Sequence, residues 1–146
     1  MIEYRRMTVD EEDMDKVDYS SFSAIISAGT VFASEPSRSA TFRAFEKARK
    51  AGLPIIFDID YRPNLWGVAG HGEGESRFVE SAAVTESLQE VLHPFDLIVG
   101  TEEEFHIAGG TTDTVAALRA VRVVSDATLV CKRGSMGATA FEGEIP

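Results

Sequence analysis

Apolar runs of three to seven residues alternate with longer stretches of helical periodicity along most of the chain. The short runs predict buried strands, and the stretches with apolar residues three and four apart predict amphipathic helices. Strands are predicted at residues 22–28, 55–57, 96–100, 128–131 and 138–141. Helices are predicted at residues 37–51, 75–92, 101–108 and 114–124.

This alternation predicts a Rossmann-like α/β fold with a mostly parallel sheet and helices on both faces. The last strand follows a tight loop at residues 134–137, so it is predicted to pair antiparallel with its neighbour. Residues 1–20 are acidic and poor in core residues, which indicates a separate N-terminal segment before a partial α/β domain at residues 21–146. The predicted sheet has few strands and a bare last edge, which indicates an incomplete domain that self-associates through that edge.

Three local expectations concern helix caps and the packing of a loop. Thr8 is expected to cap a short helix with Glu11 at its third position. Ser37 is expected to cap the helix at 37–51. The alternative for this segment is that Arg38 lies near the ligand-binding edge of the sheet. Trp66 is expected to pack beneath the loop that contains it rather than stack on a ligand.

The composition restricts the possible partners. The chain has 14 basic and 24 acidic residues, a formal net charge of -10, which argues against nucleic acid or an anionic membrane as a main partner. The single cysteine, Cys131, excludes an intrachain disulfide. No apolar run approaches the roughly 18 residues of a membrane-spanning helix, and no secretory signal is visible. A cytoplasmic protein is expected.

Polar side chains follow three successive predicted strands, at the sheet edge where ligands bind in open α/β folds. The first strand ends in Asp58-Ile-Asp60-Tyr-Arg62, where Arg62 is suited to bind a carboxylate or phosphate. Asp58, Asp60 and Arg62 share one face if the strand stays extended. The alternative is that an aspartate caps the loop and pairs with Arg62.

The ends of the next two strands each have a structural and a functional interpretation. Thr101 and Glu104 match a helix capping box, and Glu104 is alternatively a carboxylate that holds magnesium through water. Lys132 precedes a turn that contains Gly134 and Gly137. The backbone amides of this turn are expected to face a nucleotide, or alternatively to belong to a plain hairpin. A Walker phosphate-binding loop is absent.

Five stretches of the sequence resemble the ribokinase-type (pfkB-type) carbohydrate kinases, and within them the 5-dehydro-2-deoxygluconokinase branch. They are residues 28–30, 35–43, 57–66, 99–105 and 130–137, of which 57–66 is the most specific. The resemblance implies a ribokinase-like fold. It also implies transfer of the γ-phosphate of ATP, with magnesium, to a ketodeoxy sugar acid of the 5-dehydro-2-deoxygluconate or 2-keto-3-deoxygluconate class, a step of inositol catabolism.

The resemblance also implies roles for single residues. Arg62 resembles the arginine that contacts the acid group of such sugars, and Asp60 stands where many relatives have asparagine. Glu104 resembles the glutamate of the family's Asn-x-x-Glu motif, which organises magnesium and phosphate, although Thr101 replaces the asparagine. The strand end and turn beside ATP are matched by Lys132, Gly134 and Gly137.

Two family features are missing from the sequence. The Gly-Ala-Gly-Asp anion hole, whose aspartate is the family's general base, does not occur, so no catalytic residue is assigned. The N-terminal sugar-binding strands and lid are missing as well. Because phosphoryl transfer depends on positioning and electrostatic stabilisation, this chain alone is expected to be catalytically incomplete.

Two alternative functions remain open. An apolar strand ending in Asp-x-Asp also begins haloacid-dehalogenase-type phosphatases, in which Asp58 would be the nucleophile, Asp60 the acid/base and Lys132 the stabilising cation. Against it, Arg62 stands where those enzymes favour threonine or valine. The second alternative is a non-catalytic interaction domain that uses the bare sheet edge.

Overall fold

The computed structural model describes residues 8–63, 65 and 82–146. The described residues form five strands and five helices, with short 3₁₀ turns at Tyr19–Ser21, Gly29–Phe32 and Gly134–Met136. The strands are β1 (Ile25–Ala28), β2 (Ile55–Asp58), β3 (Leu97–Thr101), β4 (Thr128–Lys132) and β5 (Ala138–Phe141). The helices are α1 (Glu11–Asp15), α2 (Ser37–Lys50), α3 (Ala82–Val91), α4 (Glu102–Gly109) and α5 (Thr114–Val124).

The strands form one sheet in the order β1-β2-β3-β4-β5. The first four are parallel, and β5 runs antiparallel to β4, with Lys132 opposite Ala138. Helices connect the parallel strands, as the long crossovers of parallel pairs require. The predicted α/β class and the mostly parallel sheet are therefore confirmed.

The core lies on one face of the sheet. Alternation along the strands buries Phe57, Ile98 and Leu129 completely on this face. The Phe57 ring stacks on that of Phe95, with 4.4 Å between centroids, and Phe95 in turn meets Phe45 of α2 edge-on. Buried side chains of α2 to α5 belong to the same cluster, so these four helices pack on this face, whereas the sequence analysis placed helices on both faces.

The opposite face carries the alternate residues of each strand. Among the described residues, Ile56, Val99 and Val130 on this face are half-buried, and Ile26 at the β1 end is 74% exposed. Polar side chains occupy this face at the carboxyl ends of the strands, including Asp58 and Lys132.

The N-terminal part differs in detail from the sequence prediction. Asp10, not Thr8, caps α1, because its carboxylate accepts the Asp13 N–H while Asp13 accepts the Asp10 N–H. Strand β1 begins three residues later than predicted, since Asp18 caps the turn Tyr19–Ser21 and holds the preceding chain out of the sheet. The boundary between the acidic segment and the α/β domain stays a prediction.

Helix α2 begins at Ser37 but is not capped by it. Pro36 occupies the cap position, and the Ser37 hydroxyl instead bonds to carbonyl oxygens of the preceding loop. Glu35 supplies the missing acceptor, since its carboxylate accepts the Ser39 N–H at 3.1 Å. Arg38 lies over the ring of Phe42 and pairs with Glu90 at 3.7 Å. Both contacts hold its guanidinium against α2 and α3.

The remaining helix predictions agree where the structure describes them. Helix α5 matches residues 114–124, and α3 matches the second half of the helix predicted at 75–92. Residues 75–81 of that helix and Trp66 lie outside the described residues. Among the helices that are described, none has the length and apolar content needed to cross a bilayer.

Candidate functional site

The carboxyl ends of β2, β3 and β4 meet at one edge of the sheet, as predicted. In the register of the sheet, Asp58 lies opposite Val99, Val99 lies opposite Val130, and Thr101 lies opposite Lys132. On the open face, the Lys132 ammonium reaches across β3 to within 3.8 Å of the Asp58 carboxylate. Both side chains are slightly less than half exposed. The edge therefore presents a cation and a carboxylate together, with access to solvent.

The loop after β2 departs from the extended course that the sequence analysis considered. Ile59 continues the ladder by donating its N–H to the Val99 carbonyl, but Asp60 then adopts a positive φ of 34°. Asp58, Asp60 and Arg62 therefore do not form a row on one face. Instead the Arg62 Nε donates to Asp60 Oδ1 at 2.9 Å, the pairing given as the alternative.

The end of β1 presses directly on this loop. A Cβ at Gly29 would lie 2.1 Å from the Ile59 carbonyl oxygen, so only glycine permits the approach. The contact fixes the backbone immediately before Asp60, whose left-handed conformation is one that aspartate tolerates better than most residues. The Asp60–Arg62 pair is thus held on a backbone constrained from the neighbouring strand.

Glu104 joins two of the strand ends. Its Oε2 accepts the Thr101 N–H at 2.7 Å, and the Thr101 hydroxyl accepts the Glu104 N–H, which completes the predicted capping box. Its Oε1 accepts the N–H of Tyr61 at 3.2 Å. Tyr61 is buried, and burial raises the pKa of its phenol. Glu104 therefore anchors the loop after β2 to the start of α4.

The turn between β4 and β5 requires glycine for its backbone conformation. Gly134 and Gly137 have φ of 55° and 86°, and a Cβ at either position would meet no atom within 4 Å. The turn is closed by the Arg133 N–H, which donates to the Gly137 carbonyl at 2.7 Å. Among the described residues, the N–H groups of Gly134 and Ser135 have no acceptor. These two donors lie beside Lys132.

A hydrogen-bonded chain next to this turn was missed by the sequence analysis. The Thr114 hydroxyl donates to Glu102 Oε1 at 2.8 Å and so accepts from His106 Nε2, also at 2.8 Å. Glu102 Oε1 also lies 3.8 Å from the Arg133 Nε. The available signal was the spacing of Glu102 and His106, one helical turn apart.

The groups at this edge of the sheet are better suited to bind the phosphates of a nucleotide than to bind a metal ion without a nucleotide. Lys132 and the two amides after it are donors of the kind that bind phosphate. Among the described residues, no group of three or more histidine, cysteine, aspartate or glutamate side chains is arranged to hold a metal. Magnesium commonly keeps several waters and binds through substrate phosphates with one or two carboxylates. Glu104, with both oxygens engaged, fits only such an indirect role.

Comparisons with known proteins identify relatives in sequence. No protein-family model matches the chain. A 5-dehydro-2-deoxygluconokinase of Clostridium perfringens is 31% identical over 140 residues, which are 92% of this chain and 38% of the relative. The enzyme of the same name from Bacillus anthracis is 39% identical over 82 residues, 56% of this chain and 21% of the relative. The chain thus spans about two-fifths, at most, of these relatives.

Solved structures with the same fold are also sugar kinases. A fructokinase from Vibrio cholerae, bound to fructose, ADP and calcium ion, has a TM-score of 0.70 at 21% identity over 92% of this chain and 39% of its own. An aminoimidazole riboside kinase from Salmonella enterica has a TM-score of 0.65 at 15% identity, over 93% of this chain and 44% of its own. At these identities the likeness establishes the fold. The sequence relatives are named 5-dehydro-2-deoxygluconokinase and the structural neighbours are PfkB/ribokinase-type sugar kinases, so the chain is similar to a part of such kinases.

Proposed function

We propose that the chain forms part of a cytoplasmic kinase that transfers the γ-phosphate of ATP to a ketodeoxy sugar acid. The observation that carries this proposal is the 31% identity to a 5-dehydro-2-deoxygluconokinase over 92% of the chain. The identity is supported by a sheet edge at which Asp58 and Lys132 are the last residues of β2 and β4, and Arg62 lies in the loop after β2. The 5-dehydro-2-deoxygluconate or 2-keto-3-deoxygluconate class is the substrate class proposed.

Arg62 and Asp60 are proposed to form the site for the acid group of the sugar. Asp60 accepts the Nε proton of Arg62, which leaves the terminal nitrogens of the guanidinium unengaged by Asp60. Two parallel N–H groups match the two oxygens of a carboxylate. Arg62 is 52% exposed, so an incoming carboxylate reaches it without displacing core residues. Asp60 thus positions the guanidinium, and Arg62 contacts the substrate.

Lys132, Gly134 and Gly137 are proposed to hold the phosphates of ATP. The Lys132 ammonium offsets phosphate charge, while the Gly134 and Ser135 amides after it donate to phosphate oxygens. Gly137 keeps those amides in place through the bond from Arg133 to its carbonyl. Magnesium, when bound with the nucleotide, neutralises the charge on the phosphates. Glu104 is proposed to contact it through water while keeping the loop after β2 in place.

The chain alone is proposed to turn over little or nothing. The sequence contains no Gly-Ala-Gly-Asp stretch, which supplies the general base and the anion hole in the family that it resembles. Loss of such groups costs orders of magnitude in rate. Binding of the nucleotide is therefore the activity to measure in the isolated chain.

Phosphorus NMR of the purified chain with Mg-ATP, with and without each sugar acid, tests these proposals. We expect perturbed ATP resonances and no new phosphoester. Lys132→Ala should weaken the perturbation, whereas Lys50→Ala, at a 70% exposed site on α2, should not. Unchanged ATP resonances at millimolar concentrations would refute the nucleotide site, and a sugar-dependent phosphoester would refute incompleteness.

A parallel sample with a sugar phosphate tests the phosphatase alternative. That alternative requires Asp58 as nucleophile, and its carboxylate lies 3.8 Å from the Lys132 ammonium. Release of inorganic phosphate by the chain, abolished in Asp58→Asn, would favour the phosphatase over the kinase. We expect no release.

A further inference from the structure

The outer edge of β5 has no partner strand among the described residues, where β5 is the last strand of the sheet. Ala138, Thr139 and Ala140 are exposed, and β5 contains no charged residue and no proline. Natural sheets commonly use such residues to block pairing at an exposed edge. The segment after β5 turns toward α5, where the Ile145 carbonyl accepts a hydrogen bond from Arg119. The edge is therefore open to a further strand.

The turn before β5 shows which of its backbone groups point outward. The Arg133 N–H donates to the Gly137 carbonyl, so residue 137 faces β4. Successive residues of a strand direct their N–H and C=O groups alternately to its two sides. Thr139 therefore faces β4 as well, whereas Ala138 and Ala140 point away from it. Each of these two alanines offers an N–H donor and a carbonyl acceptor at the open edge.

We propose that β5 pairs antiparallel with β5 of a second copy of this chain, around a two-fold axis at Thr139. In this register, Ala138 of each copy lies opposite Ala140 of the other. Each such pair exchanges both N–H···O bonds, so all the outward groups of both strands are used. The contact is the same patch on both copies and closes as a dimer. This proposal does not rest on kinase activity or on nucleotide binding.

The charges that flank β5 favour the antiparallel arrangement. Lys132 and Arg133 lie before the turn that leads into β5, and Glu142 and Glu144 follow the strand. Antiparallel pairing brings the acidic end of each β5 beside the basic turn of the other copy. Parallel pairing would instead place like charges together, which is costly at an interface. Charge complementarity therefore identifies a second copy as a suitable partner and fixes its direction.

The side chains at the axis permit close approach. Thr139 of one copy lies opposite Thr139 of the other as a non-hydrogen-bonded pair, and threonine pairs at such positions stabilise antiparallel strands. The neighbouring side chains on the strand are only those of Ala138 and Ala140. Because two short strands bury less surface than a standard interface, we expect a weak dimer that depends on concentration.

Disulfide crosslinking tests the register. Thr139→Cys is made in a Cys131→Ala background, because Cys131 lies opposite Thr139 within the same chain. Oxidation with glutathione should give a covalent dimer, since the Cα atoms of a non-hydrogen-bonded pair lie about 4.5 Å apart, within the range of disulfides. Ala138→Cys in the same background is the matched control. Its two copies lie diagonally, about 8 Å apart, and should stay uncrosslinked.

Sedimentation equilibrium tests the hydrogen bonds and the charges. The unchanged chain should form a dimer as its concentration is raised. Ala140→Pro removes one outward N–H from each copy, at an edge position where proline is tolerated, and should weaken the dimer by at least about tenfold. Glu142→Lys should also weaken it, whereas Glu86→Lys, at an exposed site on α3, should not.

The crosslinking result does not depend on how well Ala140→Pro folds, and urea unfolding of that variant checks that its stability is retained. A chain that stays monomeric at every concentration, with no crosslink through Thr139→Cys, would overturn the proposal. Equal crosslinking through Ala138→Cys would show a different register and overturn it as well. So would a dimer that a folded Ala140→Pro variant leaves unchanged, because another surface would then hold the two copies together.

Discussion

The role of Glu104 as an anchor between two strand ends gives a quantitative prediction. Its carboxylate accepts the Thr101 N–H at 2.7 Å and the Tyr61 N–H at 3.2 Å, in a partly buried setting. Glu104→Ala leaves both donors without this acceptor. Loss of a helix cap costs about 1 kcal/mol, and loss of a hydrogen bond to a charged group about 1.5–3 kcal/mol. Since the second bond is long, we expect a total loss of about 2–3 kcal/mol.

Urea unfolding without nucleotide measures this loss separately from any role in binding. Glu104→Gln retains one carbonyl oxygen and so satisfies one of the two donors, for which we expect a loss of about 1 kcal/mol. Glu103→Gln is the matched control, since Glu103 is exposed in the same helical turn and should change stability by less than about 0.5 kcal/mol. If Glu104→Ala destabilises no more than Glu103→Gln, the anchoring role is wrong.

Three further predictions concern other parts of the chain. Gly109→Ala should lower the unfolding free energy by about 1–3 kcal/mol, because its Cβ would lie 2.5 Å from the Ala117 Cα; an unchanged urea midpoint would show that α4 and α5 separate easily. Cys131 should react slowly with Ellman's reagent until the chain is unfolded, because burial raises the pKa of its thiol; fast native labelling would contradict this. Hydrogen bonds from Arg43 and Lys47 lower the pKa of Asp15 from 3.8 to about 2. The Asp15 carboxylate therefore stabilises the folded chain fully at a pH above 3.8, and this stabilisation is lost as the pH falls through about 2. The urea midpoint of Asp15→Asn should therefore lie below that of the unchanged chain at neutral pH and approach it as pH falls from about 4 to about 2; a constant difference would refute the pairing.

Most of the fold followed from periodicity, because burial on one face dictates it. The apolar run at residues 55–57 marks β2, and the four-residue spacing of Ala40, Ala44 and Ala48 marks α2. The start of β1 was missed because Phe22 is apolar yet 53% exposed. Residue type records the preference of a side chain for burial but not whether a local cap has turned the chain away from the sheet.

The position of the site could be predicted from the sequence, but the hydrogen bonds and ion pairs between its residues could not. That polar residues after β2, β3 and β4 meet at one edge follows from parallel topology alone. The positive φ of Asp60 does not, because aspartate tolerates both the extended and the left-handed conformation. The bond from the Tyr61 N–H to Glu104 joins residues 43 positions apart and depends on the tertiary approach of two loops. No local pattern carries that information.

The ion pairs at the sheet edge bear on whether its cations are available to ligands. Lys132 pairs with Asp58 at 3.8 Å and Arg62 with Asp60 at 2.9 Å, and both cations are between two-fifths and about half exposed. Exposed pairs of this kind contribute about 0–1 kcal/mol. A phosphate carries more charge than one carboxylate and accepts several hydrogen bonds, so we expect it to compete with Asp58 for Lys132. Arg62 can bind a second carboxylate through its terminal nitrogens while Asp60 keeps Nε. The pairs seen in the chain are therefore compatible with the binding roles proposed for both cations, because each holds its cation only weakly or through one edge.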